Sequence, residues 1–122
     1  MQTNIEEREV NGVKYVRKDS AAAQPDLSKQ TIIRCQNAGV FCGEIVEKNL
    51  TTRVVKLKNA RRLWYWDGAA SLSQMAVTGP SKPQNCKFPV AVPEIELTEV
   101  LEVLPCSVAA AKIINEVPVW KA

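Results

Sequence analysis

The stretch NARRLWYWDGAASLSQ, residues 59–74, sets two adjacent arginines against a Leu-Trp-Tyr-Trp run and follows them with a turn of small residues. In a chain with only three Trp and two Tyr, this concentrates aromatic surface beside fixed positive charge. On a β-strand the side chains alternate, so Arg62, Trp64 and Trp66 share one face while Arg61, Leu63 and Tyr65 share the other. Leu63 and Tyr65 are the better core candidates. That leaves an Arg-Trp-Trp row facing outward, an unusual surface unless it meets a ligand or another subunit. Its chemistry suits a flat anionic heterocycle: an indole face stacks a base for about 1–3 kcal/mol, and a guanidinium takes phosphate through two N–H groups. Asp67-Gly68 then turns into a helix expected from Ala69 to Thr78. The first N–H groups of that helix lie beside the small residues Gly68, Ala69, Ala70 and Ser71. Arg34, from the neighbouring strand pair, is a further cation. The candidate ligand-binding set is therefore Arg34, Arg61, Arg62, Trp64, Trp66 and Ser71. The arginines would hold phosphate, a Trp would stack the base, and the Ser71 hydroxyl would complete the anion site.

Each of these residues has a plainer use. Tryptophans most often pack against helices or subunits, and Arg61 and Arg62 have Glu94, Glu96 and Glu99 available as ion-pair partners. Glu94, Glu96, Glu99 and Glu102 could supply a carboxylate pair, but their spacing fits a solvated face better. Cys86 beside Lys87 lacks the partner base that an activated thiol needs. Histidine is absent, which removes the commonest general base and metal ligand. Cys35, Cys42, Cys86 and Cys106 contain no C-x-x-C pair and read as structural thiols, with a disulfide or an all-cysteine metal site as minor alternatives. No catalytic residue, metal ligand or cofactor is assigned.

The elements that must position the candidates are mostly strands. NGVKYVRKDS (11–20) opens on an Asn-Gly turn signal and reads as an edge strand or hairpin arm, and AAAQPDLSKQ (21–30) reads as a linker. Residues 31–48 predict two strands around a turn at Asn37-Ala38-Gly39, with Gly43 as a bulge or close-approach point and Glu47-Lys48-Asn49 as the next turn. Residues 53–66 alternate as strand with a stumble at Asn59-Ala60. Leu72, Met75 and Ala76 fall at helical spacing before the Gly79-Pro80 stop. Three prolines make 81–93 a loop. The run from Glu94 to Pro105 is ambiguous: Ile95, Leu97, Leu101 and Val103 suit a strand with Glu99 an exception, Leu97, Val100, Leu101 and Leu104 suit a helix, and the Ile/Val content favours strand. SVAAAKIINEV predicts a short helix capped by Ser107, with Ile113 and Val117 on one face. The expected fold is α+β, an antiparallel sheet with a mid-chain and a C-terminal helix. Residues 1–30 form an arm and linker, and 31–122 a single domain.

Composition narrows the function classes. A chain of 122 residues, 46% apolar and 24% charged, is sized for one globular domain. No apolar run is long enough to span a bilayer, and Met1 to Val10 shows no secretory pattern, so the cytosol is the expected compartment. A net charge of +3 disfavours duplex nucleic acid but permits a small anion held by a few local arginines.

At KNARRLWYWDGAASLSQMAVTG, with NGVKYVRKDS upstream and EIELTEVLEVLPCS downstream, the chain resembles a family of small bacteriophage and prophage proteins labelled as a domain of unknown function. In size and layout it is also similar to the phage Thoeris anti-defence type-one proteins. Those are non-enzymatic, homo-oligomeric sponges that sequester cyclic nucleotide signals of bacterial immunity, among them glycosylated cyclic ADP-ribose and cyclic oligonucleotides. That resemblance implies a phage protein, acting in an infected bacterial cell, that binds such a nucleotide without turning it over. It assigns no residue. The rival readings are a protein-interaction module working through the aromatic face, and a nucleotide-cleaving enzyme.

Overall fold

The computed structural model describes residues 25–121. The arm expected at 11–20 lies outside them. Five strands form one antiparallel sheet: β1 (Gln30–Cys35), β2 (Val40–Asn49), β3 (Val54–Arg62), β4 (Val92–Leu97) and β5 (Val100–Pro105). Two short helices accompany it, α1 (Leu72–Thr78) and α2 (Val108–Glu116). The expected α+β class and both helices are present. Residues 25–30 are the end of the expected linker; Asp26, Ser28 and Lys29 are exposed, and Gln30 joins the sheet. Leu27–Lys29 make a single 3-10 turn, the Asp26 N–H donates to Glu44 Oε2, and Gln30 is buried in β1.

Strand order across the sheet is β4-β3-β2-β1-β5. Consecutive strands β4 and β5 therefore lie at opposite edges, although only Thr98 and Glu99 separate them. Laid flat, five strands would hold the outer two about 19 Å apart, whereas that link reaches at most about 11 Å. The sheet must curl. Its inner face confirms this, because Ile33, Cys35, Phe41, Val55, Leu57, Ala60, Leu97 and Val100 form one buried cluster drawn from all five strands. The turn between the edges is tied down by Gln36 N–H to Glu99 O and by Val100 N–H to Arg53 O. Glu99, the break in alternation, is where the expected single strand divides; its φ is +57°.

On the outer face, Ile32, Cys42 and Leu63 pack with Met75, Ala76, Cys86, Phe88, Ile114 and Val117. Alternation is visible in register: Ile32 opposes Cys42 on the helix side, while Ile33 opposes Phe41 inside. Ser71 caps α1 rather than lying within it, so the helix starts three residues later than expected. In α2 the buried residues are Ala110, Ala111 and Ile114; Ile113 sits at the margin. The two helices are joined where Ser107 N–H donates to Ala76 O and Ser107 Oγ to Val77 O.

The two irregularities read from the sequence in this sheet are a single feature. A side chain at Gly43 would place its Cβ 3.0 Å from both Ala60 Cα and Lys58 O, and the β2–β3 register shifts between Cys42 and Glu44. Opposite, Asn59 takes φ +52°, a conformation Asn tolerates better than most residues. The bulge resets the alternation of β3. Val55, Leu57 and Ala60 all face inward, and Arg61 and Leu63 are delivered to the helix side. The next turn falls later than expected: Glu47 and Lys48 stay in β2, and Asn49 Oδ1 receives the Thr51 and Thr52 N–H groups.

Candidate functional site

β3 ends at Arg62, so the alternation read over residues 61–66 holds only in part. Leu63 is buried as expected, its N–H donating to Val40 O. Tyr65, the other core candidate, is 48% exposed. The chain has left the sheet by then, and Tyr65 pairs instead with Lys87 in an isolated bridge.

Arg62, Trp64 and Trp66 do come together. They line one hollow of about 400 Å³ with Ala38, Gly39, Val40 and Leu63. Arg62 is exposed at its rim, with its guanidinium 4.3 Å from the centroid of the Phe41 ring and Nη1 donating to Ala38 O. Trp64 is 57% exposed. Trp66 is half-buried and packs onto the helix-side core. The hollow thus joins the mouth of the curled sheet to the helix layer, with a cation at one end and indoles along its wall.

The other three candidates are placed elsewhere. Arg34 Nε lies 2.6 Å from Glu102 Oε1, its register partner across β1 and β5. Ser71 Oγ receives the Gln74 N–H at 3.2 Å, while Gln74 Oε1 receives the Ala70 N–H at 2.9 Å. The start of α1 is thus closed by its own side chains, in the manner of a capping box.

Arg61 is only 6% exposed and meets carbonyls rather than any of the glutamates. Nη1 donates to Val117 O at 2.7 Å and Ile114 O at 3.1 Å; Nη2 donates to Phe88 O at 2.5 Å and, at the limit, Pro118 O at 3.5 Å. Nε donates to Pro89 O at 3.2 Å. Burial pulls its pKa below the usual arginine value, but a guanidinium keeps its proton in any such environment. The charge is balanced by carbonyl dipoles, several at the negative C-terminal end of α2. This arginine closes the fold and is not open to a ligand.

Trp120 and Lys87 are two neighbours of the site that the sequence does not mark as such. Trp120 stacks on Trp64 with ring centroids 5.4 Å apart and planes within 9°. The Lys87 ammonium lies 5.5–5.8 Å from the ring centroids of Tyr65, Trp120 and Trp64. Trp64 and Trp120 are 56 positions apart, so no local pattern links them; the signal was only that a third Trp lies near the chain's end. The four glutamates are exposed, with Glu94 and Glu96 opposite Lys58 and Lys56, and Glu99 accepting from Asn37 Nδ2. All four cysteines are free thiols, three of them buried. Among the described residues no three His, Cys, Asp or Glu side chains gather as a metal site, and no helix is long and apolar enough to cross a membrane.

No curated protein and no solved structure matches the chain. Residues 28–114, from the 3-10 turn through most of α2, match one family, and the chain belongs to it: a domain of unknown function, DUF6948.

Proposed function

We propose that this is a non-catalytic binding protein whose ligand is a small cyclic or phosphorylated nucleotide, held at the Arg62–Trp64–Trp66 hollow. The observation that carries the reading is the convergence of these three side chains on one open hollow of about 400 Å³. A base stacks on Trp64 and a phosphate meets the outer N–H groups of Arg62. The hollow is shallow, and pockets that hold small ligands tightly bury most of their surface. A second subunit of a homo-oligomer supplies that enclosure. With the resemblance to phage anti-defence sponges, the specific ligands are cyclic nucleotide immune signals, such as glycosylated cyclic ADP-ribose or cyclic oligonucleotides, sequestered intact in an infected cell.

The test is a thermal-shift panel of cyclic nucleotides on the purified protein. A ligand at about 100 times its Kd adds about 2.7 kcal/mol of stability, and it is recovered unchanged after the complex is denatured. Linear product would mark an enzyme instead. A second reading, a protein-interaction module, is supported by exposed Tyr65, Val119 and Trp120 beyond the hollow. It takes precedence if no nucleotide shifts the melting temperature.

A further inference from the structure

The exposed indole of Trp64 sits on a stretch of chain that belongs to no strand. Its backbone is pinned on either side, by Leu63 N–H to Val40 O and by the two hydrogen bonds between Tyr65 and Lys87. Those bonds fix the main chain and leave the ring free to rotate about two side-chain torsions. What faces the ring is Trp120, nearly parallel to it. Trp120 does not line the hollow, whereas Trp64 does. One face of the Trp64 indole is therefore covered by Trp120, and the rest of the ring is what meets the hollow.

Trp120 is itself held by a chain of contacts that begins at Arg61. The guanidinium binds the carbonyls of Phe88, Val117 and Pro118 together, drawing the segment after α2 against the segment around Phe88. There Val119 makes a parallel bridge with Phe88, and Trp120 N–H donates to Phe88 O at 3.1 Å. Phe88 O thus serves both the buried arginine and the residue that carries the backing indole. The Lys87 ammonium lies within cation–π range of both tryptophan rings, which adds to the pair without occupying the hollow.

We propose that Trp120 is a positioning residue of the nucleotide site, fixing the plane of Trp64 so that a base completes a three-ring pile with Trp64 in the middle. This rests on the nucleotide reading above. An immobilised ring presents its face without the ordering cost that a mobile one carries on binding. It also selects among ligands: the bound group must be a flat ring with an anionic group near enough to reach Arg62, so a nucleotide binds and a sugar phosphate without a base does not.

The test uses the full chain and the variants Trp120→Ala, Trp120→Phe and Trp64→Ala. In the unliganded protein the stacked indoles give an exciton couplet in the far-ultraviolet circular dichroism, absent from Trp64→Ala and Trp120→Ala. Affinity for a cyclic nucleotide that binds the wild type falls about threefold to tenfold in Trp120→Ala. In Trp120→Phe, which still stacks, it returns to within about twofold of wild type. A wild type without the couplet, or Trp120→Ala binding as tightly as wild type, overturns the positioning role while the nucleotide reading stands. A wild type that binds none of the panel overturns both. Ribose 5-phosphate competing as well as the nucleotide overturns the selectivity.

Discussion

Replacing Arg61 by methionine keeps an unbranched apolar stem as far as the position of Nε and removes every side-chain N–H. Three carbonyls then lose a short donor, those of Val117 at 2.7 Å, Phe88 at 2.5 Å and Ile114 at 3.1 Å. The contacts to Pro89 O and Pro118 O, at 3.2 and 3.5 Å, are weaker and count for less. Each buried group left unsatisfied costs about 1–3 kcal/mol. Ile114 O keeps the Val117 N–H, and Phe88 O keeps the Trp120 N–H, which softens two of the three losses. Relief from desolvating a guanidinium offsets more. The net loss comes to about 3–5 kcal/mol, or about 12–20 °C in Tm for a chain of this size. Urea unfolding followed by tryptophan fluorescence measures it, provided the m-value matches wild type so that the same surface is being exposed. Arg61→Lys keeps the charge but cannot fork to several carbonyls at once, so it should fall between the two. A methionine variant within about 1 kcal/mol of wild type would refute the assignment of Arg61 as the clamp on the C-terminal segment, and would reopen it as a ligand residue.

Other substitutions separate the site from the scaffold. Trp64→Ala and Arg62→Glu should each abolish nucleotide binding with far-ultraviolet helix and sheet signals unchanged; normal binding by both would move the site elsewhere. Ser71→Ala should cost about 1 kcal/mol as a lost helix cap and leave Kd unchanged, read by urea midpoint and titration side by side. Gly68 has φ +91°, and a Cβ there would lie 2.5–2.7 Å from Ser81 and Lys82 atoms. Gly68→Ala should therefore destabilise by more than about 2 kcal/mol, and a neutral result would show that the turn can relax. Burial pushes the Cys35 and Cys86 thiols up. Above the ordinary thiol value of 9.0 the unfolded chain releases protons that the folded chain keeps. Stability should then fall as pH climbs from about 8 to about 10, and a rising urea midpoint would contradict it.

What could be read from the sequence was whatever a strand or helix period encodes locally. Alternation at Val55 and Leu57, the spacing of Met75 and Ala76, and the Ser107 cap each depend on neighbours a few residues away, and each lies where expected. Sheet order is another matter. The link of Thr98 and Glu99 looks like a flaw in one long strand, and only the pairing of β5 with β1 shows it to be the seam of a curled sheet. Arg61 follows the same logic. An arginine beside tryptophans looks like a phosphate ligand, but its side is set by the bulge at Asn59 opposite Gly43. That bulge turns it toward carbonyls some 27 to 57 residues away.

The consequence for the site is that its two arginines do opposite work: strand alternation divides them, and the extra residue in the strand sets which face each one takes. Because Ala60 faces inward after the reset, Arg62 follows it to the rim, where its guanidinium rests on Phe41 and opens on the hollow. Arg61 goes the other way, under α2. Deleting Asn59 would remove only the extra residue: Lys58 would stay opposite Glu44 and Arg61 opposite Cys42, so both arginines would keep their faces. Such a chain should fold with near-wild-type stability and bind ligand as the wild type does, measured by urea midpoint and ligand titration. Loss of both would show that the left-handed turn at Asn59, and not the register alone, aims the guanidinium that reaches Val117 and Phe88.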